Sequence, residues 1–512
     1  MKKLCTLLLT AGLLLSSLAP AGAVEFKAKG DWMFGFSAID SSFVKNPGTE
    51  KSGAGGQDVF DARQRVRIKL EAVASESLSG VIYFEMGDTN WGRASKGGAL
   101  GSDGANVEVK HAYLDWTVPA TPLKLRMGLQ YMEMPNAAGG SAVFADDAAG
   151  IIASYTFNDT VSLTATWGRL YNDNYLSGDY GYTGPNNSRD NMDMVALMLP
   201  INLDGIRITP WVLGSFMGKN ALGGINNAYL GNASNLYPKA GLTTAGFNTT
   251  TLNKKGASYS SAFWVGLPIV ITTLDPWNFE LDLNYGYSEG FGSYDAFTAS
   301  GDRRRASSRR EGWLAKGLVE YKLDWGTPGF FAWYGSGDNG VGNGSGRMPS
   351  LDGWGTFTSF MGDNRYAWGM GSAGSRNSGY EIGSLYSGTW GMGAQLKDMS
   401  FLNDISHTFR IAYWGGTNAP SMTKYARGTW AGEHSKGWDQ IDESVIYLTT
   451  KDWLLEFNLD TTWKIYDNLE AVVELGYIVN GIDRDQWRKY GNGGDWQKAD
   501  AYKAGVIFKY SF

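Results

Sequence analysis

Apolar and polar side chains alternate strictly in segments spread along the whole chain. Over residues 24–38, Phe26, Ala28, Gly30, Trp32, Phe34 and Phe36 share one face, while Glu25, Lys27, Lys29, Asp31 and Ser37 share the other. Arg63, Arg65, Arg67, Lys69 and Glu71 oppose Val66, Ile68, Leu70 and Ala72. Glu280, Asp282 and Asn284 alternate with Phe279, Leu281, Leu283 and Tyr285, and Glu456, Asn458 and Asp460 with Leu455, Phe457 and Leu459. The final segment puts Tyr502, Ala504, Val506, Phe508, Tyr510 and Phe512 on one side. A period of two predicts β-strands whose two faces meet unlike surroundings.

The strands are often long enough to cross a bilayer at a tilt, about 9–11 residues. Their apolar faces end in aromatics such as Trp32, Trp116, Tyr155, Phe157, Tyr287, Tyr321, Trp463 and Tyr477, as interfacial girdles require. Connections alternate in length. Short ones fall near Ser75–Ser79, Pro119–Pro122, Asn158–Thr160, Pro200–Asp204, Thr272–Trp277, Asp324–Thr327, Asp398–Asp404 and Tyr466–Asn468. Long Gly/Asn/Ser-rich ones lie between them, including 131–149, 337–386 and 416–452. Short turns on one rim and long loops on the other predict an all-β transmembrane antiparallel barrel of about 18 strands, with short periplasmic turns and long extracellular loops. A strand-like stretch from Ser444 to Thr450 leaves about 16 or 20 as alternatives. Closure removes the open sheet edge that lipid does not tolerate. The competing reading is a soluble β-sandwich with half-buried strands. Strand length, girdles and alternating connections weigh against it.

Composition sharpens the barrel reading. The chain holds 69 Gly, 20 Trp, 27 Tyr and 23 Phe, a bias toward strands and turns. The first residues stand apart from the pattern. Lys2-Lys3, an apolar stretch from Leu4 to Leu18 and Ala21-Gly22-Ala23 form an export signal over 1–23, with cleavage expected after Ala23. The single barrel domain is then 24–512. Cys5, the only cysteine, leaves with the signal, so the mature chain forms no disulfide and no cysteine metal site. Removing Lys2 and Lys3 from the 45 basic residues leaves 43 against 51 acidic ones, a net charge of −8, which argues against a nucleic-acid partner.

In such a barrel the polar face lines a lumen. An Arg or Lys turned to lipid at the bilayer centre costs roughly 2–4 kcal/mol. Arg63, Arg65, Arg67 and Lys69 are therefore expected to point inward as a basic wall, joined by Lys124, Arg126 and Gln130 on the fifth strand. The loop at about 131–149 contains Glu133, Asp146 and Asp147. Folded inward, it would set these carboxylates against the basic wall and form a constriction with a transverse field. The bland alternative is a loop lying outside and basic residues that merely hydrate a wide lumen.

Several segments, in order, look like the outer-membrane homotrimeric porins of Desulfovibrio-type sulfate-reducing bacteria. These are Val24-Glu25-Phe26-Lys27-Ala28-Lys29-Gly30, Arg63-Gln64-Arg65-Val66-Arg67, Val109-Lys110-His111-Ala112-Tyr113, Asp146-Asp147-Ala148-Ala149-Gly150 and the terminal Phe512. The resemblance spans nearly the whole mature chain and implies a trimer of pores and passive diffusion of small hydrophilic solutes and ions. It further implies an inward loop after the fifth strand, and a terminal Phe512 read by the barrel-assembly machinery. General porins of this kind usually have 16 strands. The larger count leaves room for a substrate-selective sugar or organic-anion channel of maltoporin-like type, or for a non-conducting structural or adhesive barrel.

An enzymatic reading finds little footing. Only His111, His407 and His434 are present, with no nucleophile motif beside them. Three scattered histidines form no transition-metal site, and no cofactor is implied. Asp338-Asn339-Gly340 could offer calcium ligands, and Arg303-Arg304-Arg305 with Arg309-Arg310 could contact lipopolysaccharide phosphates. Flexible loop composition explains the first better, and a solvated loop, or one paired with a neighbouring acidic loop, explains the second at least as well. Tyr83, Tyr113 and Trp414 are candidate lumen aromatics.

Overall fold

Eighteen strands follow one another in chain order, each pairing antiparallel with its sequence neighbours, and the last returns to the first. The computed structural model describes residues 24–40, 43–45, 59–94, 97–101, 104, 107–172, 191–218, 259–289, 293–297, 303–307, 309–340, 344–362, 368, 386–425, 447–489 and 497–512. Residues 1–23, read above as an export signal, lie outside the described residues.

The first seven strands are β1 (Glu25–Asp40), β2 (Val59–Ser75), β3 (Leu78–Asn90), β4 (Val107–Thr117), β5 (Leu123–Glu133), β6 (Ala145–Thr156) and β7 (Ser162–Asn172). β8 (Asn191–Met198, continuing as Ile201–Leu203) and β9 (Ile206–Ile208, continuing as Trp211–Gly218) are each interrupted once. Pro200 and Pro210 sit at the breaks, where a proline cannot donate to the ladder. Then come β10 (Tyr259–Ile271), β11 (Trp277–Ser288), β12 (Arg310–Tyr321), β13 (Thr327–Gly335) and β14 (Thr389–Leu402). β15 (Ile405–Gly416), β16 (Trp453–Tyr466), β17 (Leu469–Asn480) and β18 (Ala501–Ser511) complete the ring.

Closure is carried by the β1–β18 ladder, from Asp31 opposite Ser511 to Asp40 opposite Tyr502. Past its end, Gly30 and Phe512 exchange both backbone hydrogen bonds at 3.0 Å, and the Phe512 ring lies 5.3 Å from Trp32. The short turns fall where the sequence places them. At the strand-like stretch near 444–450, residues 447–450 form only an isolated bridge from Thr449 to Asn418, so no further barrel hairpin arises there among the described residues. Two short ribbons, Val44–Lys45 with Gln497–Lys498 and Ser293–Phe297 with Arg303–Ser307, lie outside the barrel sheet.

The outer face is apolar and bare. Ile151, Val195, Val212, Leu281, Phe330, Leu459 and Leu475 are all exposed, each beside a buried or half-buried inward neighbour. So large an apolar band would be costly in water and is at home in hydrocarbon. Aromatic pairs ring it at both ends. Trp277 and Tyr321 meet edge-on at 4.8 Å near the short-turn rim, and Trp313 stacks on Tyr334 at 5.0 Å near the long-loop rim.

Candidate functional site

The basic wall of β2 points inward, and each arginine has a carboxylate of its own. Arg63 Nε donates to Asp61 at 2.6 Å, and Arg67 Nε to Glu85 at 2.6 Å. Arg65 stands 3.9 Å from Asp88 and lies 5.4 Å from the ring of Trp368, whose indole also donates to Asp88. A bulge aims Asp88 at this arginine. The β2–β3 register slips between Gln64 and Val66, so two residues of β3, Gly87 and Asp88, stand opposite one of β2, Arg65. Position 87 has no room for a side chain, since a Cβ there would come within 2.6 Å of Arg65 Cγ.

Below the ladder, toward the short-turn rim, the wall opens into a cavity of about 450 Å³. Lys29, Asp31, Lys69, Tyr83, Arg126 and Tyr131 line it together with His111 and Tyr113. Arg126 grips Asp115 through both ends, at 2.6 and 2.8 Å, and lies 4.3 Å from the Tyr113 ring. Lys69 sits 5.8 Å from the same ring. Lys29 pairs in register with Lys69. Like charges directly opposite destabilise a ladder, so this pair persists at a cost. Among the described residues, neither lysine has an ion-pair partner.

The hairpin of β5 and β6 leaves the wall halfway up. β5 stops pairing with β4 at Leu129, and β7 begins pairing with β6 only at Ala149. Between these points 130–148 pairs with no neighbouring barrel strand, and its ladder is with itself apart from a bridge from Phe144 to Asp352. Gly128 makes the departure possible. Its φ of +132° suits glycine, and a Cβ would strike the Ala112 carbonyl. The tip then meets the far wall: Trp211 Nε1 donates to Pro135 O at 2.8 Å, and Lys316 Nζ donates to Gly140 O.

The acidic trio differs from the expectation in two ways. The loop proper is 134–144, so Asp146 and Asp147 belong to β6 and Glu133 ends β5. Nor do they face the arginines. Asp147 accepts from Lys110 at 2.6 Å and contacts His111 Nε2 at 2.7 Å. Glu133 accepts from Asn136 at 2.8 Å. Asp146 lies against Asp352, whose carboxyl is pushed up to about 8 by burial and by that neighbouring charge. Among the described residues, no ion pair joins Glu133, Asp146 or Asp147 to Arg63, Arg65, Arg67, Lys69 or Arg126. Bulges and cross-strand neighbours match the wall's charges locally before any loop reaches them.

Sequence reasoning missed a second inserted segment, 344–362. It crosses the lumen and is pinned to the wall of β16. Glu456 Oε1 accepts from the backbone of Phe360 and Met361, both at 3.1 Å, and from Asn458 at 2.9 Å. Its other oxygen accepts from Trp414 Nε1 at 3.0 Å. Lys503 Nζ donates to Ser359 O at 2.7 Å. The two insertions also bond to each other, through Trp354 N to Ser141 O at 2.8 Å and Thr356 N to Gly139 O at 3.0 Å. The signal was there to read. Trp354, Phe357, Phe360 and Met361 are too apolar for a loop meant for water, and the last three are buried.

Behind these segments the wall is sealed. Lys316 and Asp282 pair at 3.1 Å, and Lys503 and Glu474 at 2.8 Å, all almost wholly buried. Other candidates resolve plainly. Trp414 is buried on Glu456, whereas Tyr83 and Tyr113 face the cavity. Arg310 is buried and donates to Arg347 O at 2.9 Å, so it does not reach out to a lipid headgroup. The side chains of Arg303, Arg304 and Arg305 lie outside the described residues. Asp338 caps its own turn at Gly340 N, 2.7 Å, and its charged neighbours are Arg310 and Arg347, a poor setting for calcium. His407 contacts Thr461 at 2.9 Å on the outer face, and His434 lies outside the described residues.

Neither a protein-family model nor a curated protein sequence matches the chain. Among solved structures it is similar to OccAB3 of Acinetobacter baumannii, at 11% identity and TM-score 0.49, covering 95% of this chain and 100% of that one. It is similar to a BenF-like porin from Pseudomonas fluorescens Pf-5, at 8% identity and TM-score 0.49, covering 95% and 98%. Pseudomonas aeruginosa OpdK, solved with vanillate, is similar at 9% identity and TM-score 0.47, again covering 95% and 98%.

Proposed function

We propose that this chain is an outer-membrane channel for passive diffusion of small hydrophilic solutes and ions. One observation carries the reading: the two sides of the lumen are unequal. At the level of the inserted segments the wall from β9 to β17 is buried, at Trp211, Trp264, Asp282, Lys316, Trp333 and Glu456, and its half-exposed charges, Glu280, Lys397, Arg410 and Asp460, lie nearer the short-turn rim. Along β1 to β5, Lys29, Arg67, Lys69, Glu71, Asp115 and Arg126 remain exposed or half-exposed. Burying an unpaired charge is costly, so Lys29 and Lys69, which have no ion-pair partner among the described residues, call for water beside them. The water path in this proposal therefore runs along β1–β5. Single-channel current in planar bilayers, with sized neutral polymers added, tests it. Absence of current from a correctly assembled barrel favours a structural or adhesive role instead.

Lys29 and Lys69 favour a narrower second reading, a channel that prefers small organic anions. Two cations opposite each other and without carboxylate partners leave positive charge free to meet a solute. Reversal potentials in a salt gradient should move toward cation preference in K29Q/K69Q. The trimeric state, the Desulfovibrio-type kinship, recognition of Phe512 by the assembly machinery and contact with lipopolysaccharide are proposals of the same standing. Chemical crosslinking in native membranes tests the trimer.

A further inference from the structure

His111 is the one histidine that the described residues place inside the barrel. We propose that it sets the charge preference of the lumen as a function of pH, a proposal that rests on the channel reading above. Imidazole is the side chain that gains or loses its charge between about pH 5 and 8. Here it sits between two tyrosines, with its ring 5.3 Å from Tyr83 and 6.4 Å from Tyr113, on the edge of the cavity.

The charges around it are nearly matched. On its own strand, Lys110 is held by Asp147 of β6, which also receives the imidazole. Asp115 is held by Arg126 of β5, and Tyr131 of that strand lines the cavity. From β2 and β3, Arg67 is paired with Glu85, which stands in register with Glu108 of β4. From β1 and β2, Lys29 and Lys69 face the cavity with Asp31, and Glu71 lies near Arg126. In so balanced a setting one added proton changes the net charge by a large fraction. His111 and Asp147 also tie β4 to the base of the inserted hairpin, so protonation strengthens that tie as it charges the cavity. A unit charge about 6 Å from a passing ion, at the dielectric of water, changes that ion's local population about threefold.

The experiment measures the anion-to-cation permeability ratio from reversal potentials at pH 8 and pH 5, at low salt to limit screening. Wild type and the lipid-facing control H407Q should each show a ratio about ninefold higher at pH 5, because the added charge raises the anion's population about threefold and lowers the cation's by the same factor. With Asp352, which is pushed up to about 8 and also changes charge over this range, neutralised by D352N in both barrels, H111Q should lose that rise. A conducting wild-type barrel whose ratio ignores pH, or an H111Q barrel that keeps the full rise, overturns the proposal and leaves the channel reading intact. If H111Q does not assemble, H111F, which keeps a ring between the two tyrosines, decides, and a retained rise overturns the proposal. A barrel that inserts and passes no current defeats the channel reading, and this proposal with it.

Discussion

Replacing Glu456 by alanine removes the anchor that holds segment 344–362 across the lumen. Its carboxylate accepts from two loop amides, Phe360 and Met361, and from the indole of Trp414, all buried. Hydrogen bonds to a charged acceptor contribute roughly 1.5–3 kcal/mol each, and an orphaned buried donor costs a similar amount. The two loop amides alone therefore lose about 4 kcal/mol in the docked state. They recover it from water if the segment lifts away. Since about 1.4 kcal/mol is a factor of ten, the population of the lifted state rises roughly a thousandfold. Lys503 on Ser359 and the bonds to 139–141 still oppose release. Two assays read the result. Chymotrypsin should cut at Phe357 or Phe360 in E456A while sparing wild type, and single-channel conductance should rise as the lumen clears. Unchanged cleavage together with unchanged conductance would show that Glu456 does not hold the segment, and the argument would fail.

Three further outcomes follow from particular contacts. Neutralising Arg63, Arg65 and Arg67 together should shift ion selectivity toward cations, because Asp61, Asp88 and Glu85 would stay behind uncompensated; reversal potentials check this. Gly128→Ala should impair assembly by about 1–3 kcal/mol or more, since φ of +132° and the Ala112 carbonyl both exclude a side chain; heat-modifiable gel migration reads the folded fraction. Asp352 favours its protonated form in the fold, so its contribution is complete below about pH 4 and is lost as the pH rises past about 8. The protection factor of the Ala145 amide, which donates to Asp352 O at 2.7 Å, should therefore fall above pH 8 in wild type and stay constant in D352N.

Alternation alone determined which side of each strand meets hydrocarbon. Phe508 and Tyr510 on β18, or Leu459 and Trp463 on β16, are outward by parity, and the structure exposes all four. The short turns and long loops determined the meander and pointed to about 18 strands, with 16 or 20 left for the structure to decide. These are local properties, set by a period of two and by turn chemistry, and one-dimensional information suffices for them. The charge partners needed more. Arg65 meets Asp88 only because β3 bulges at Gly87, and Asp147 meets His111 only because the β5–β6 hairpin leaves the wall at Gly128. The fate of 344–362 lay furthest from view. Its amides find Glu456 about a hundred residues away, and nothing near either segment announces the match. Parity and turns are written along the chain. Which loop fills the barrel is decided by shape and hydrogen-bonding complementarity across it, which exists only once the cylinder has closed.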